Sequence, residues 1–283
     1  MFYKLFGVKF IFDHHDIAPE TYVAKFGKKG GFHEILLLME RLTFRFADVV
    51  ISTNASYKQI AIERGSKASS DVVVVRNGPA LSQIPKVQPN PKLRDGFRYL
   101  VGYVGVIGQQ EGIDNLIRIA DYIVRAKKRS DIKFIVVGTG TNWKEVVRLC
   151  SAMGLDRYFW FTGYVPDSDL YEILTSVDVC VNPEFGNEFT DKSTMIKIME
   201  YMAVEKPIVQ FYTSEGEVTA GEAASYVREN SPSLFAEELL ALLEDEGRRK
   251  AMGVFGRKRI ENELCWERQK GELKKAYDRA DKL

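Results

Sequence analysis

Residues 193–209 read S-T-M-I-K-I-M-E-Y-M-A-V-E-K-P-I-V. A hydroxyl pair, Ser193 and Thr194, stands where a helix would begin, and Ser or Thr is a favoured N-cap. The backbone N–H groups that follow, at Met195 and Ile196, would then face an anion. Lys197 and Glu200 are three apart and so neighbours on one helix face, while Met195, Ile198, Met199 and Met202 can cover the apolar side. A diphosphate at the helix mouth, a cation beside it and a carboxylate reaching a ribose diol would together hold a nucleotide. An ordinary amphipathic helix with a solvated Lys/Glu pair fits the same residues, and the elements around the stretch decide between the two.

Apolar, β-rich runs alternate with helical patterns along the chain, the signature of parallel sheets covered by helices. Strands are predicted at 9–13, 48–52 and 72–75, with helices at 32–46 and 56–64. In the first of these helices Ile35, Leu36, Met39, Leu42 and Phe46 share a face. Residues 81–96 hold Pro85, Pro89 and Pro91 with little periodicity and read as a linker. The pattern then restarts, with strands at 99–103, 134–137, 159–162, 177–182, 208–211 and 224–227. Helices are predicted from about 112 and at 142–153, 167–175, 232–243, 247–262 and 266–280. The expectation is an α/β chain of two Rossmann-like domains: 1–96 with its linker, 97–263, and a closing helix at 264–283. Ligands of open parallel sheets sit beyond the carboxyl ends of the strands. The loops 13–16, 105–112, 138–140 and 182–194 all lie there.

A length of 283 residues suits two domains, and 45% hydrophobic with 28% charged residues indicates a globular protein. The net charge of +1 gives no global pull towards nucleic acid. Residues 1–100, however, carry 15 Lys+Arg against 9 Asp+Glu, and the remainder 25 against 30. The first part is thus the side to meet an acidic partner or a membrane surface. Within it, 25–32 (K-F-G-K-K-G-G-F) with Arg41 and Arg45 mixes cations and aromatics that could dock on anionic lipid; a solvated loop is the plainer reading. Residues 1–12 are apolar but too short to span a bilayer and lack the cleavage site of a signal peptide. Cys150, Cys180 and Cys265 are widely spaced and fit a reducing cytoplasm better than disulfides or zinc. The expected location is cytoplasmic, with peripheral contact at the inner membrane surface. Among the histidines His14, His15 and His33, His15 follows a strand and precedes Asp16, as a positioned imidazole would. No H-x-x-x-H or carboxylate cluster suggests a metal, and no cofactor is expected. A dehydrogenase is disfavoured because no G-x-G-x-x-G follows a strand with an acidic residue about twenty further on.

The chain resembles glycosyltransferase family 4, retaining enzymes of the two-domain GT-B fold that use nucleotide sugars. The resemblance rests on D-H-H-D-I-A-P-E (13–20), E-R-L-T-F-R-F-A-D-V-V-I-S-T-N (40–54), V-V-R-N-G-P (74–79), G-Y-V-G-V-I-G-Q-Q-E-G-I-D (102–114), V-V-G-T-G (136–140), F-T-G-Y-V-P-D (161–167) and S-T-M-I-K-I-M-E-Y-M-A (193–203). Each is common alone; their order and spacing together are specific. The resemblance implies that Glu200 binds the donor ribose, that Lys197 sits by the diphosphate and His15 near the donor sugar. Gly105, Gly108 and Gly138 would let the backbone approach the phosphates. Ser193, Thr194, Met195 and Ile196 would form the helix mouth, and Asp191 would hydrogen-bond sugar hydroxyls.

The departures are as informative. Many members have two glutamates separated by seven residues, whereas the position eight before Glu200 is Lys192. Many carry an arginine near Val106 and a lysine near Glu111, and this chain has neither. Members also have residues, including a first strand with a glycine-rich loop, ahead of the segment matching 9–16. The N-terminal domain is therefore expected to be incomplete, with an exposed sheet edge: the sequence is a fragment, or a partner chain completes it, or the protein binds without catalysing. The expected function is sugar transfer from a nucleotide-diphosphate sugar to a carbohydrate or lipid-linked hydroxyl acceptor, as in surface polysaccharide or glycolipid synthesis. The alternative is a non-catalytic nucleotide-sugar-binding or partner subunit.

Overall fold

Strands buried on both faces read as continuous apolar runs, because helices cover the two sides of a parallel sheet. V-V-I-S and Y-L-V-G-Y-V are such runs, and they form the middles of two sheets. The computed structural model describes Lys4 and residues 6–283. Residues 1–3 and 5, part of the apolar stretch 1–12, lie outside the described residues.

The first sheet pairs β1 (Ile11–His14), β2 (Val49–Ser52) and β3 (Val72–Val74) in that order, all parallel, with Ile11 opposite Val49 and Val50 opposite Val72. Helices α1 (Ala18–Phe26), α2 (Gly31–Phe46) and α3 (Ala55–Glu63) make the connections. The second sheet contains β4 (Tyr99–Val104), β5 (Ile132–Val137), β6 (Phe159–Gly163), β7 (Val179–Asn182), β8 (Ile208–Phe211) and β9 (Ala224–Val227). Its order is β6-β5-β4-β7-β8-β9, again all parallel, so the winding direction reverses between β4 and β7. Around it lie α4 (Ile113–Asp121), α5 (Trp143–Ala152), α6 (Asp167–Ser176), α7 (Ile196–Ala203), α8 (Ser214–Ala220), α9 (Pro232–Glu244) and α10 (Glu246–Arg259). One face of the sheet packs Val101, Phe134 and Val179 against Leu116, Phe235 and Leu239, and the other packs Leu100, Ile135 and Cys180 against Met199, Tyr201 and Ile260.

The segment 81–96 holds two short turns, Leu81–Gln83 and Pro91–Arg94. It is fastened to the second unit by Arg94, whose guanidinium donates to both oxygens of Asp178, and by Asn90 N–H, which donates to Ser176 Oγ. The last helix, α11 (Trp266–Asp281), returns to the first unit, where Ala276 and Ala280 pack on Val49, Ile51 and Val75.

Two expectations need correction. Helix α1 was not foreseen, although the proline in its first turn is a start signal. Helix α2 forms where periodicity places it, but with the opposite side inward. Its buried residues are His33, Glu40 and Phe44, while Ile35, Met39 and Leu42 of the expected apolar face lie outward. The cause is a buried ion triad in which Arg64 donates to Glu40 and Glu20. Glu40 must face Arg64, and the apolar residues on the other side of the helix therefore turn to solvent.

Candidate active site

The order reversal between β4 and β7 opens a crevice beyond the carboxyl ends of the second sheet. There β4 ends and the chain turns at Gly105, with φ +149°. β5 ends beside it, and Gly138 follows at φ +126°; a Cβ on Gly138 would lie 1.9 Å from the Gly105 carbonyl oxygen. Only glycine fits that approach. The loops are laced together: Gly105 N–H donates to Val137 O at 3.1 Å, Ile107 N–H to Thr139 O at 3.0 Å and Gly138 N–H to Gly163 O at 3.0 Å. The ends of β4, β5 and β6 thus form one seam of bare backbone. Gly108 is under no such constraint, since a Cβ there would make ordinary contact with Glu111.

Helix α7 starts next to this seam, one or two residues later than expected. Its N-cap is Met195, with no side-chain capping bond. Ser193 Oγ instead donates to Phe189 O at 2.8 Å, and Thr194 Oγ1 accepts from Asn54 Nδ2 at 2.9 Å. One hydroxyl is held within its own loop and the other from the first unit, so they brace the loop ahead of the helix rather than cap it. Ile196 in the first turn is about half exposed.

Lys197 is already engaged by protein groups. Its ammonium donates to Glu184 Oε1 at 2.6 Å, to Glu111 Oε2 at 3.2 Å and to the Tyr103 hydroxyl at 3.2 Å. Its side chain is only 10% exposed. Burial pulls the lysine down, but Glu184, Tyr103 and Glu111 together hold it well above the usual range. Burial also raises Glu184, and it pushes the Tyr103 phenol up to about 12. The lysine stem runs beside Gly105, with Cε 3.4 Å from where a Cβ would stand.

Glu200 is the converse case. It is half-buried, and among the described residues its carboxylate has no hydrogen-bond or ion-pair partner. Burial raises its pKa and nearby Asp167 raises it further, against a smaller opposing pull from Lys197. Asp167 opens α6, and three residues before it, just past the end of β6, stands Tyr164 at 82% exposure. Glu200 thus feels the start of α6, and Tyr164 stands just past β6, whose end meets the seam where Gly138 N–H donates to Gly163 O.

The remaining expected residues are dispersed. Asp191 Oδ1 accepts from Ser214 N–H at 2.7 Å and so holds the start of α8. His15 lies past β1 in the other unit, with Nε2 2.8 Å from Asp13 Oδ1 and Nδ1 3.1 Å from Asn77 Nδ2. Its neighbour His14 is the buried one, and burial, with Arg64, drives it down to about 4. The two units meet across the crevice. Asn54 Nδ2 donates to Lys192 O, Ser56 Oγ donates to Glu215 Oε1 at 2.7 Å, and Arg76 lies 3.6 Å from Glu215. Sequence reasoning missed Asn54, Glu184 and Tyr164. Of these, Asn54 ends the quoted motif 40–54 and Tyr164 lies in F-T-G-Y-V-P-D, whereas Glu184 lies in none.

A cavity of about 960 Å³ adjoins the seam. Lys25, Lys29, His33 and Arg64 line one wall, and the loop 108–112 with Asn187 and Phe189 lines the other. Of the expected site residues only Gly108 touches it, so the seam and the cavity are adjacent places joined by Glu111, which lines the cavity and binds Lys197.

The profile of the family described as Glycosyl transferases group 1 matches residues 98–245, the part that holds the seam, α7 and Glu200. An uncharacterized glycosyltransferase of Methanocaldococcus jannaschii is 23% identical over 244 residues, covering 84% of this chain and 60% of that protein. The capsular polysaccharide biosynthesis glycosyltransferase CapM of Staphylococcus aureus is 26% identical over 271 residues, covering 88% and 66%. The chain thus spans somewhat under two thirds of the length of these relatives. Among solved structures, HepE of Anabaena in complex with UDP-glucose superposes with a TM-score of 0.78 at 16% identity, covering 99% of this chain and 74% of that one. Sucrose-phosphate synthase from Thermosynechococcus elongatus does so with 0.78 at 18% identity, covering 99% and 70%.

Proposed function

The chain belongs to the glycosyl transferases group 1 family, and from that premise we propose that it moves a sugar from a nucleotide-diphosphate sugar to a hydroxyl acceptor. Its fold is the two-domain GT-B arrangement. The observation that carries the reading is Glu200, a half-buried carboxylate with no hydrogen-bond or ion-pair partner among the described residues, one turn along α7 from the lysine that runs beside the glycine seam. Burying a carboxylate without hydrogen bonds is costly, and a ribose diol supplies two donors. The diphosphate would lie along Gly105 and Gly138, where backbone can approach it closely, near the first turn of α7. The exposed ring of Tyr164 gives the base a surface to stack on. The adjoining cavity would take the acceptor: Gln109, Gln110, Asn115 and Asn187 offer donors and acceptors suited to sugar hydroxyls, and Phe185 and Phe189 offer apolar faces.

In the transfer step the bond between the anomeric carbon and the leaving phosphate oxygen breaks, and the acceptor oxygen bonds to that carbon. The acceptor's proton passes to the departing phosphate on the same face, so configuration is retained and no strong protein base is needed. Lys197 would hold the leaving diphosphate by moving from Glu111, which is 28% exposed and free to turn to solvent. No metal ion enters this scheme. His15, opposite the seam, would meet the donor sugar.

A second reading, a non-catalytic nucleotide-sugar-binding subunit, draws on the same lysine: two carboxylates already neutralise it. Calorimetry with a panel of nucleoside diphosphates and their sugars tests the binding that both readings share. Glu200→Gln should weaken binding by roughly tenfold or more, the worth of hydrogen bonds to a charged group; unchanged affinity would remove the ribose assignment. Release of free nucleoside diphosphate by the purified chain, with an acceptor or with water, then separates enzyme from binding subunit.

A further inference from the structure

We propose that the outer face of α2, with the end of α1, docks on an anionic membrane surface. With 3.6 residues per turn, Phe32, Ile35, Leu38, Met39 and Leu42 fall along one side of α2, opposite the buried His33, Glu40 and Phe44. With Phe26 at the end of α1, these six side chains are 38–57% exposed. The two helices present one aromatic patch, because the Tyr22 ring lies 4.9 Å from Phe26 and 5.3 Å from Phe32. A contiguous apolar surface of this kind marks an interaction site.

Charge says what covers it. Lys25, Lys28 and Lys29 stand at one end of the stripe, and Arg41 and Arg45 run along its flank on the helical wheel. None of these five makes an ion pair among the described residues, and Lys25 lies 5.7 Å over the Phe26 ring. The acidic residues nearby are occupied: Glu20 and Glu40 hold Arg64, and Glu34 sits against His33. An apolar stripe with a cationic border matches the acyl region and anionic headgroups of a bilayer surface. Among the described residues no helix is long and apolar enough to cross a membrane, so the contact is peripheral. Lys25, Lys29 and His33 also line the 960 Å³ cavity. On the transferase reading, an acceptor held in the membrane would therefore reach the cavity directly.

Flotation of the purified chain with phosphatidylcholine vesicles, with and without phosphatidylglycerol, tests the proposal without any nucleotide sugar. Binding should require phosphatidylglycerol and fall with salt. Ile35→Asp with Met39→Asp should abolish it, and Lys28→Glu should weaken it by about fivefold or more. These side chains are exposed, so circular dichroism and the thermal shift with nucleoside diphosphates should match the parent protein. Absence of binding to anionic vesicles overturns the proposal. So does equal binding by the Ile35/Met39 variant, or a concentration-dependent dimer that this variant dissolves, which would assign the face to a second copy of the chain.

Discussion

Lys197 shows how little a residue's type reveals about its state. Its position three before Glu200 was visible in the sequence, and so was the turn of helix they share. Its principal partner was not, because Glu184 comes from the far side of the loop after β7 and only the fold brings the two to 2.6 Å. Removing one member of a buried pair leaves the other uncompensated, at about 3–5 kcal/mol. Lys197→Met should therefore lower stability by an amount of that order in urea unfolding. Adding Glu184→Gln should recover most of the loss, since the stranded charge is then gone. If the lysine also serves the diphosphate, the double variant will be stable yet weak in nucleotide binding. A single variant as stable as the parent would show that the cage contributes nothing to the fold.

At the level of elements, β1 and α2 carry a pH dependence of their own. His14 ends β1 with 1% exposure, within 5.0 to 5.5 Å of the Phe12, Phe44 and Tyr57 rings; among the described residues neither ring nitrogen has a hydrogen-bond partner, and Nε2 lies 3.8 Å from Glu40 Oε1. Burial and Arg64 lower it from 6.5 to about 4. Between those values the unfolded chain binds the proton and the folded one does not, so stability falls as pH drops from about 6.5 towards 4. The loss amounts to roughly 3 kcal/mol at its limit. Glu40, raised by burial, acts in the opposite sense, holding its proton longer in the fold as pH rises. His14→Phe should flatten the fall in unfolding midpoint between pH 7 and pH 4.5, and a variant that keeps the parent's slope would refute the assignment. The same elements show what was legible. Strands such as 48–52 and 208–211 were found within a residue, because runs of branched apolar residues have few other uses. The inward side of α2 was not, because a buried Arg64 triad reverses the rule that apolar residues face the core. The start of α7 was misplaced for a similar reason: Asn54, from α3's N-cap, takes Thr194 from across the crevice. The glycine seam was legible because only glycine tolerates the approach of Gly138 to Gly105. The partnerless state of Glu200 was not, because emptiness around a side chain leaves no mark on the sequence.

For the whole molecule, the decisive connection is the return of α11 to the first sheet. Trp266 N–H donates to Pro79 O at 3.0 Å, and Gln269 Oε1 accepts from Arg76 N–H at 3.0 Å. Arg279 closes the far end on Asp71 at 2.7 Å. Gly78 passes so close that a Cβ there would lie 1.6 Å from Leu264 O. Under this helix lie Val49, Ile51 and Val75, each nearly fully buried. Burial of a Val or Ile side chain contributes about 1.5–3 kcal/mol, so uncovering three of them removes several kcal/mol. A whole domain's stability is about 5–15 kcal/mol, and a unit built on three strands among the described residues has little to spare. A chain shortened to end at Cys265 should therefore lose the first unit to limited proteolysis under conditions where the full chain resists. The second unit should behave differently. Gly105, Gly138, Lys197 and Glu200 are all placed by its own strands and helices, and no hydrogen bond or ion pair joins them to α11. Nucleoside diphosphate binding, read by calorimetry on the shortened chain, should persist within a few-fold of the parent. Loss of binding without proteolysis of the second unit would mean that the first unit, through Asn54 and Thr194, shapes the mouth of α7 directly.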